Sequence, residues 1–482
     1  LLPEPPRAFL DVVTVAVSST KHLKESVARR AVKNINERVD SFIANPKKAL
    51  WTIAWPVVLG MLVQILYNIV DTAFIGRLGV DQLAAATFSF PIFFLFIAIA
   101  NMIGFGATSL IAQYLGARRK VDADNVAWHA LVMSAGLAVI VTVVGILIDR
   151  ALFRFLGATP AVVAYGVEYM FPIFLGSLFI FLSSAFSAVL AGEGNTKFPT
   201  VIQVVSAFLN LFLDWLFIVV FHWGMTGASL STALAFVFNV LAFSYLIFVK
   251  GKSSIHFALR DWHWDQKRVV RILKIGVPTS IAQMLMATSF LFFNSIFATF
   301  GTATVAAYGL VGKIDSMIFL PLLGLSVGVV TLIGMFYGAK RYNLLTRVTR
   351  TAITYGYLYV IPMGVLIWLF PEALFRLLTT DASVIAIAAG LQRVEVFSYP
   401  LIVIGLLLGR VLLGLGNGMA SLVITGVRLV VVAVPLAWLF TSVLGYGPVS
   451  VIASMIAAGV ISVTIALFWT RRSLCKVRGD CA

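Results

Sequence analysis

Gln64, Asn68 and Asp71 stand four and then three residues apart, and Gln203, Ser206, Asn210 and Asp214 follow at three, four and four. At about 100° per helical residue, each set falls on one face of its helix. Ser229 and Thr232 add a third short polar strip. All three strips sit inside long apolar stretches. An ionisable group at the centre of a bilayer helix costs at least ~2.5 to 3.5 kcal/mol on insertion scales, so these strips are predicted to face inward and toward one another. A Ser or Thr hydroxyl there can simply bond back to its own helix carbonyl. A carboxylate has no such outlet and must be protonated, paired or cation-bound. If the strips meet, Asp71, Asn210, Asp214 and Thr232 present hard oxygens that suit a sodium ion, or a proton shared between two acids. The residues leave the choice of ion open.

The elements that must position these groups are legible in composition. With 60% hydrophobic and 12% charged residues, and a mean hydropathy of +1.00, the chain cannot cover a soluble globule with polar side chains, so lipid must solvate it. Spanning takes about 20 apolar residues. Twelve such stretches begin near Leu50, Leu83, Val126, Val162, Pro199, Ala228, Ile272, Val305, Ala352, Val384, Leu422 and Ile452. The expected fold is therefore an all-α polytopic membrane protein. The formal charge of +16 lies in alternate loops. Lys47, Arg118, Arg119, Lys197, Lys250, Lys340, Arg341, Arg471 and Arg472 fall on one side, whereas the loops around Gly224, Gly301 and Gly447 carry no base. This asymmetry predicts cytoplasmic termini in an inner or plasma membrane and removes the case for nucleic acid.

Cys475 and Cys481 lie together in the basic tail, so no disulfide scaffold or thiolate metal cage is expected. His256 and His263 belong to a polar connector running from Gly251 to Lys267, and His129 and His222 are isolated, so none reads as a metal ligand. Before the first span, Leu23, Val27, Ile35, Val39 and Phe42 recur at near-helical spacing among Lys24, Arg29, Arg30, Lys33 and Arg38. That pattern reads as a basic amphipathic helix on the cytoplasmic surface, with a dispensable tail as the alternative.

The chain also repeats itself. Gly116-Ala117-Arg118-Arg119 recurs as Gly338-Ala339-Lys340-Arg341, an offset of 222 (338 − 116). Pro56 and Pro278, Gly79 and Gly301, and Gly194 and Gly416 keep the same offset. Two copies with an even number of spans each give parallel repeats, two six-helix pseudo-symmetric lobes related by an axis along the membrane normal. The expected division is an extension over 1–46, a first lobe over 47–250, a linker over 251–268, a second lobe over 269–472 and a tail over 473–482. The repeat is also an internal control. Asp71, Asn210 and Asp214 become Phe293, Val432 and Leu436 in the second copy, so the scaffold does not need them. Pro56, fifteen residues before Asp71, is a candidate hinge because it frees a backbone carbonyl. Lys313, Asp315, Glu395 and Arg428 are the second half's buried charges. They are expected to pair across helices as structural ion pairs, with Lys313 and Arg428 as candidates for a substrate cavity. Gly192-Glu193-Gly194-Asn195 lacks the Walker pattern and reads as a turn between helices.

The run Tyr67-Asn68-Ile69-Val70-Asp71, followed by Ile75-Gly76-Arg77-Leu78-Gly79, resembles the first-span signature of the multidrug and toxic compound extrusion (MATE) transporters. So do Leu190 to Lys197 and Asn210 to Asp214, and the resemblance covers about residues 47 to 472. It implies a V-shaped pair of lobes that exports organic, often cationic or amphipathic, compounds in exchange for protons or sodium. The first-lobe acids resemble the DinF-like branch, which places the cation site on Asp71, Asn210, Asp214 and Thr232, with Tyr169 lining the same lobe. Gln64, Asn68, Gln203 and Ser206 then join Tyr169, Lys313 and Arg428 as candidate cavity residues. Span seven lacks the acid that other branches carry there, which counts against a second-lobe cation site. No cofactor beyond the coupling ion is expected; small organic molecules and membrane lipids are the expected partners of a monomer. A flippase for lipids or lipid-linked sugars is the competing reading, but it would hold more phosphate-binding cations than Lys313 and Arg428. No nucleophile, base and metal set appears that would make an enzyme.

Overall fold

The computed structural model describes residues 35–76, 78–257 and 262–479, without the side chains of residues 66–69, 71–73 and 80. The expected amphipathic positions Leu23 and Val27 therefore lie outside the described residues. Ile35, Val39 and Phe42 lie on a helix over 35–44, and all three are buried along one face.

Long helices then follow in the expected order. Span one is Pro46–Gly76, span two Val80–Gly116, span three Lys120–Phe155. Span four is the bent pair Pro160–Leu175 and Ser177–Gly192, spans five and six Lys197–Val220 and Gly224–Val249. The second half gives span seven Gln266–Ala298, span eight Thr302–Gly338 and span nine Tyr342–Leu369. Spans ten, eleven and twelve are Ala382–Gly414, Gly418–Val443 and Val449–Arg478. Among the described residues, eleven helices are long and apolar enough to cross a membrane, or twelve when the bent pair counts as one span.

Packing follows the repeat. Span one lies against five, two against four, four against six and five against six; seven against eleven, eight against ten, ten against twelve and eleven against twelve do the same in the second lobe. The lobes join through spans two and seven, one and eight, and two and eight. That seam is built from glycines near the end of the molecule that bears the basic loops. A Cβ at Gly116 would overlap the Met335 carbonyl oxygen, and one at Gly338 would overlap that of Gln113, two contacts related by the repeat itself. Gly106 meets the Ile272 backbone in the same way. Lost side chains here let two backbones touch.

Four departures from regular helix matter for the site. Span four bends by 54° at Gly176, and 222 residues later span ten is interrupted by a 3-10 turn over Val396–Ser398. Span five changes to a π-helix over Trp215–Val220, starting directly after Asp214. Span eleven does so over Val427–Ala433, around Arg428. Such irregular turns free carbonyls inside a helix and gather at functional positions. Span one, by contrast, continues as one helix through Pro56. The turn after span four closes with Gly194 at φ +75 and its partner Gly416 at +85, a left-handed backbone that favours glycine.

Candidate functional site

Spans five and six meet through the residues that the spacing singled out. Ser206, Asn210 and Asp214 are buried on span five, and Ser229, Ser231 and Thr232 on span six. Asn210 Nδ2 donates to Thr232 Oγ1 at 3.5 Å, while Thr232 Oγ1 donates to the Ala228 carbonyl at 3.2 Å. The Ser206 hydroxyl donates to the Ala235 carbonyl at 3.0 Å, tying the same two helices one turn lower. Asn210 Oδ1 is buried with no hydrogen-bond partner among the described residues.

Asp214 Oδ1 contacts Ser231 Oγ. Ser231 is a partner that the spacing did not reveal, because it points about 100° away from Thr232 on an ideal helix. Its Oγ also lies 2.7 Å from the Ala228 carbonyl. A hydroxyl has one proton to give, so Ser231 cannot donate to both oxygens at once.

Other expectations separate. Ser229 bonds back to Met225 and Thr226 carbonyls, as a hydroxyl in an apolar helix does. Tyr169 is half-buried and packs against the apolar cluster that contains Ile75 and Ala85. Its neighbour Glu168 accepts from the Thr226 hydroxyl at 2.8 Å, joining spans four and six. Gln64 and Gln203 are exposed, and so is Lys313. The side chains of Asn68 and Asp71 lie outside the described residues; their backbone is helical and belongs to span one, which packs on span five.

The expected ion pairs of the second half do not form among the described residues. Asp315 is held by Tyr399 and Gln392 rather than by Lys313, and Glu395 accepts from Ser398. Opposite charges two apart on a helix point to different sides, so Asp315 finds its donors across on span ten and Glu395 finds its own within span ten. His129 places its two ring nitrogens on Asn125 and Asp265 backbone groups, a structural role. No cluster of three or more His, Cys, Asp or Glu side chains occurs among the described residues.

The MatE family profile matches residues 56–216 and 278–439, one block in each copy of the repeat. The chain belongs to the MATE family of transporters. Its sequence is 26% identical over 439 residues to the probable multidrug resistance protein NorM of Thermotoga maritima, covering 89% of this chain and 94% of that protein. It is 24% identical over 424 residues to the multidrug export protein MepA of Staphylococcus haemolyticus, covering 87% and 92%. A MOP superfamily transporter from Pyrococcus furiosus superposes with a TM-score of 0.86 at 29% identity, over 90% of this chain and 97% of that one. A MATE structure in a bent conformation gives a TM-score of 0.87 at 28% identity, over 92% and 98%. The paired lobes are therefore those of the MATE fold.

Proposed function

We propose that this MATE transporter exports organic, often cationic or amphipathic, compounds by alternating access, coupled to inward movement of a proton or sodium ion through Asp71, Asn210, Asp214 and Thr232. The names of the NorM and MepA relatives support the multidrug part of this reading. The observation that carries the coupling part is the Asp214 contact. Ser231 has two oxygen neighbours and one proton. A proton on Asp214 lets the acid donate to Ser231 while Ser231 donates to Ala228, which completes the chain. Without that proton, a small cation near Asp214 and Asn210 Oδ1, which has no partner among the described residues, serves the same oxygens.

The cycle then needs only differential affinity. A cation taken from outside neutralises the buried acids, favours one arrangement of spans one, five and six, and cargo leaves; release toward the other side resets the lobes. Span one is the element that joins Asp71 to the seam with span eight, so loading at the acids can reach the lobe interface.

Proteoliposomes with separately imposed sodium and proton gradients and a panel of cationic dyes test the reading. Asp71→Asn and Asp214→Asn should each abolish gradient-driven efflux while the protein still inserts. Full activity of both variants under either gradient would refute the assigned role.

A further inference from the structure

The helix over 35–44 reaches the place where the two lobes join. Ile35, Val39 and Phe42 stand four and then three residues apart on it, and all three are buried against protein. An apolar stripe that would suit a membrane surface is spent, over this stretch, on the transporter itself.

Phe42 makes the decisive contact. Its ring lies against Gly194, in the turn after span four, 2.7 Å from where a Cβ would stand, and the Met335 methyl of span eight lies 3.5 Å from that same point. Met335 belongs to the seam, because its carbonyl oxygen is the atom that a Cβ at Gly116 would overlap. One turn earlier on span eight, the Thr331 hydroxyl donates to the Ala191 carbonyl of span four at 2.8 Å. Phe42 thus packs on the first lobe beside a side chain of the second.

Polar groups hold the helix on either side of the ring. Arg38 donates to the Glu193 carbonyl at 3.3 Å and lies 4.0 Å from the Glu193 carboxylate. The same carboxylate accepts from the Ser253 hydroxyl and the Ser254 backbone N–H, which belong to the linker between the lobes. Arg118, two residues past Gly116, pairs with Asp40 at 2.9 Å. That pair is exposed, so it adds direction more than strength. Asn45 alone separates this helix from span one. Its side-chain oxygen accepts from the Lys48 N–H at 3.2 Å, and its own N–H donates to the Ser41 carbonyl. Span one in turn packs on span eight, so a shift between those two spans is carried to Phe42 and Met335.

The repeat again supplies a control. Gly416, the partner of Gly194, has Gln113, the partner of Met335, at 3.2 Å from its Cβ position, but Ile275 of span seven lies there in place of Phe42. Leu415 stands where the first copy has Glu193. Trp264, at the offset of Phe42, lies beside His129 with ring centres 5.3 Å apart. The turn can be covered by the spans alone, so helix 35–44 is an addition to the first copy.

We propose that helix 35–44 is a strap that holds the two lobes together at the basic end, with Phe42 seated on Gly194 beside Met335, and that it leaves this seat before the seam can part. The inference rests on the alternating-access part of the proposed function. None of its residues belongs to the cation set, so strap and coupling are tested apart.

The test measures the opening of the seam. Full-length protein with Cys475→Ser and Cys481→Ser carries spin labels at Lys197→Cys in the first lobe and Arg347→Cys in the second, both exposed positions near the basic end. Phe42→Ala should raise the ratio of long to short label distances about tenfold, because it removes a buried ring contact from one of two states. Asp40→Arg, which faces Arg118 with a like charge, should raise it about twofold, and adding Arg118→Asp should restore the starting ratio. That restoration separates a strap from a general loss of stability. If Phe42→Ala does not elute as folded protein, Phe42→Leu replaces it and should give a smaller rise. An unchanged ratio in Phe42→Ala, or in its folded replacement, overturns the strap. Gly116→Val in the same labelled chain tells the two readings apart: if it alone lengthens the distance, the lobes do part and the strap is what fails.

Discussion

Asp214 and Ser231 share a buried contact in which the number of protons decides how many bonds are made. Ser231→Ala removes the acid's hydroxyl neighbour and leaves the fold's main packing intact, so dye efflux should fall several-fold and its pH profile should shift; an unchanged profile in transport assays would count against the role. Thr232→Val should weaken cation dependence by releasing Asn210, read as a higher cation concentration for half-maximal efflux. Outside the membrane, Glu193 is fully buried and its pKa is raised by that burial, against the Ser253 and Ser254 donors and the charge of Arg38. The folded chain thus holds this proton more tightly than the unfolded one, so the group favours folding at acid pH and that contribution is lost as pH rises through its folded value. Glu193→Gln should flatten the alkaline decline of the melting temperature. Much of this was legible in spacing, which put Ser206, Asn210 and Asp214 on one face. Ser231 was not, nor was the exposure of Gln64, Gln203 and Lys313, because a helical period says which residues share a face and not what covers it.

Helix irregularities are the element-scale feature that sequence reading found hardest. Pro56 is the candidate hinge of span one, which is one helix through it; a bend of 54° lies in span four, beside Pro172 and at Gly176, and the matching turn in span ten at Ser398. A proline removes one hydrogen bond, and neighbouring helices decide whether the axis gives way. In span four, Thr142 and Ser177 hydroxyls bridge spans three and four. Thr142→Val and Ser177→Ala should each destabilise the protein by about 1 kcal/mol, and the double variant should cost less than the sum because the two act as one network. Thermal melts in detergent measure both.

For the molecule as a whole, the repeat was the most readable property, since the 222-residue offset makes packing in one lobe recur in the other, as spans one with five and seven with eleven do. The glycine seam was not foreseen, because close backbone approach leaves no apolar pattern of its own. Gly116→Val or Gly338→Val should hold the lobes apart at the basic end, and spin-label distances across spans two and eight should lengthen relative to the unaltered protein. The proposed coupling belongs to this scale, because it would join acids in one lobe to motion of both. The most direct measurement runs the exchange backwards: a dye gradient is imposed on proteoliposomes and the resulting cation flux is recorded. The account expects dye movement to drive opposite movement of protons or sodium in the unaltered protein and in neither direction in Asp214→Asn. Cation flux of unaltered size in Asp214→Asn would contradict it.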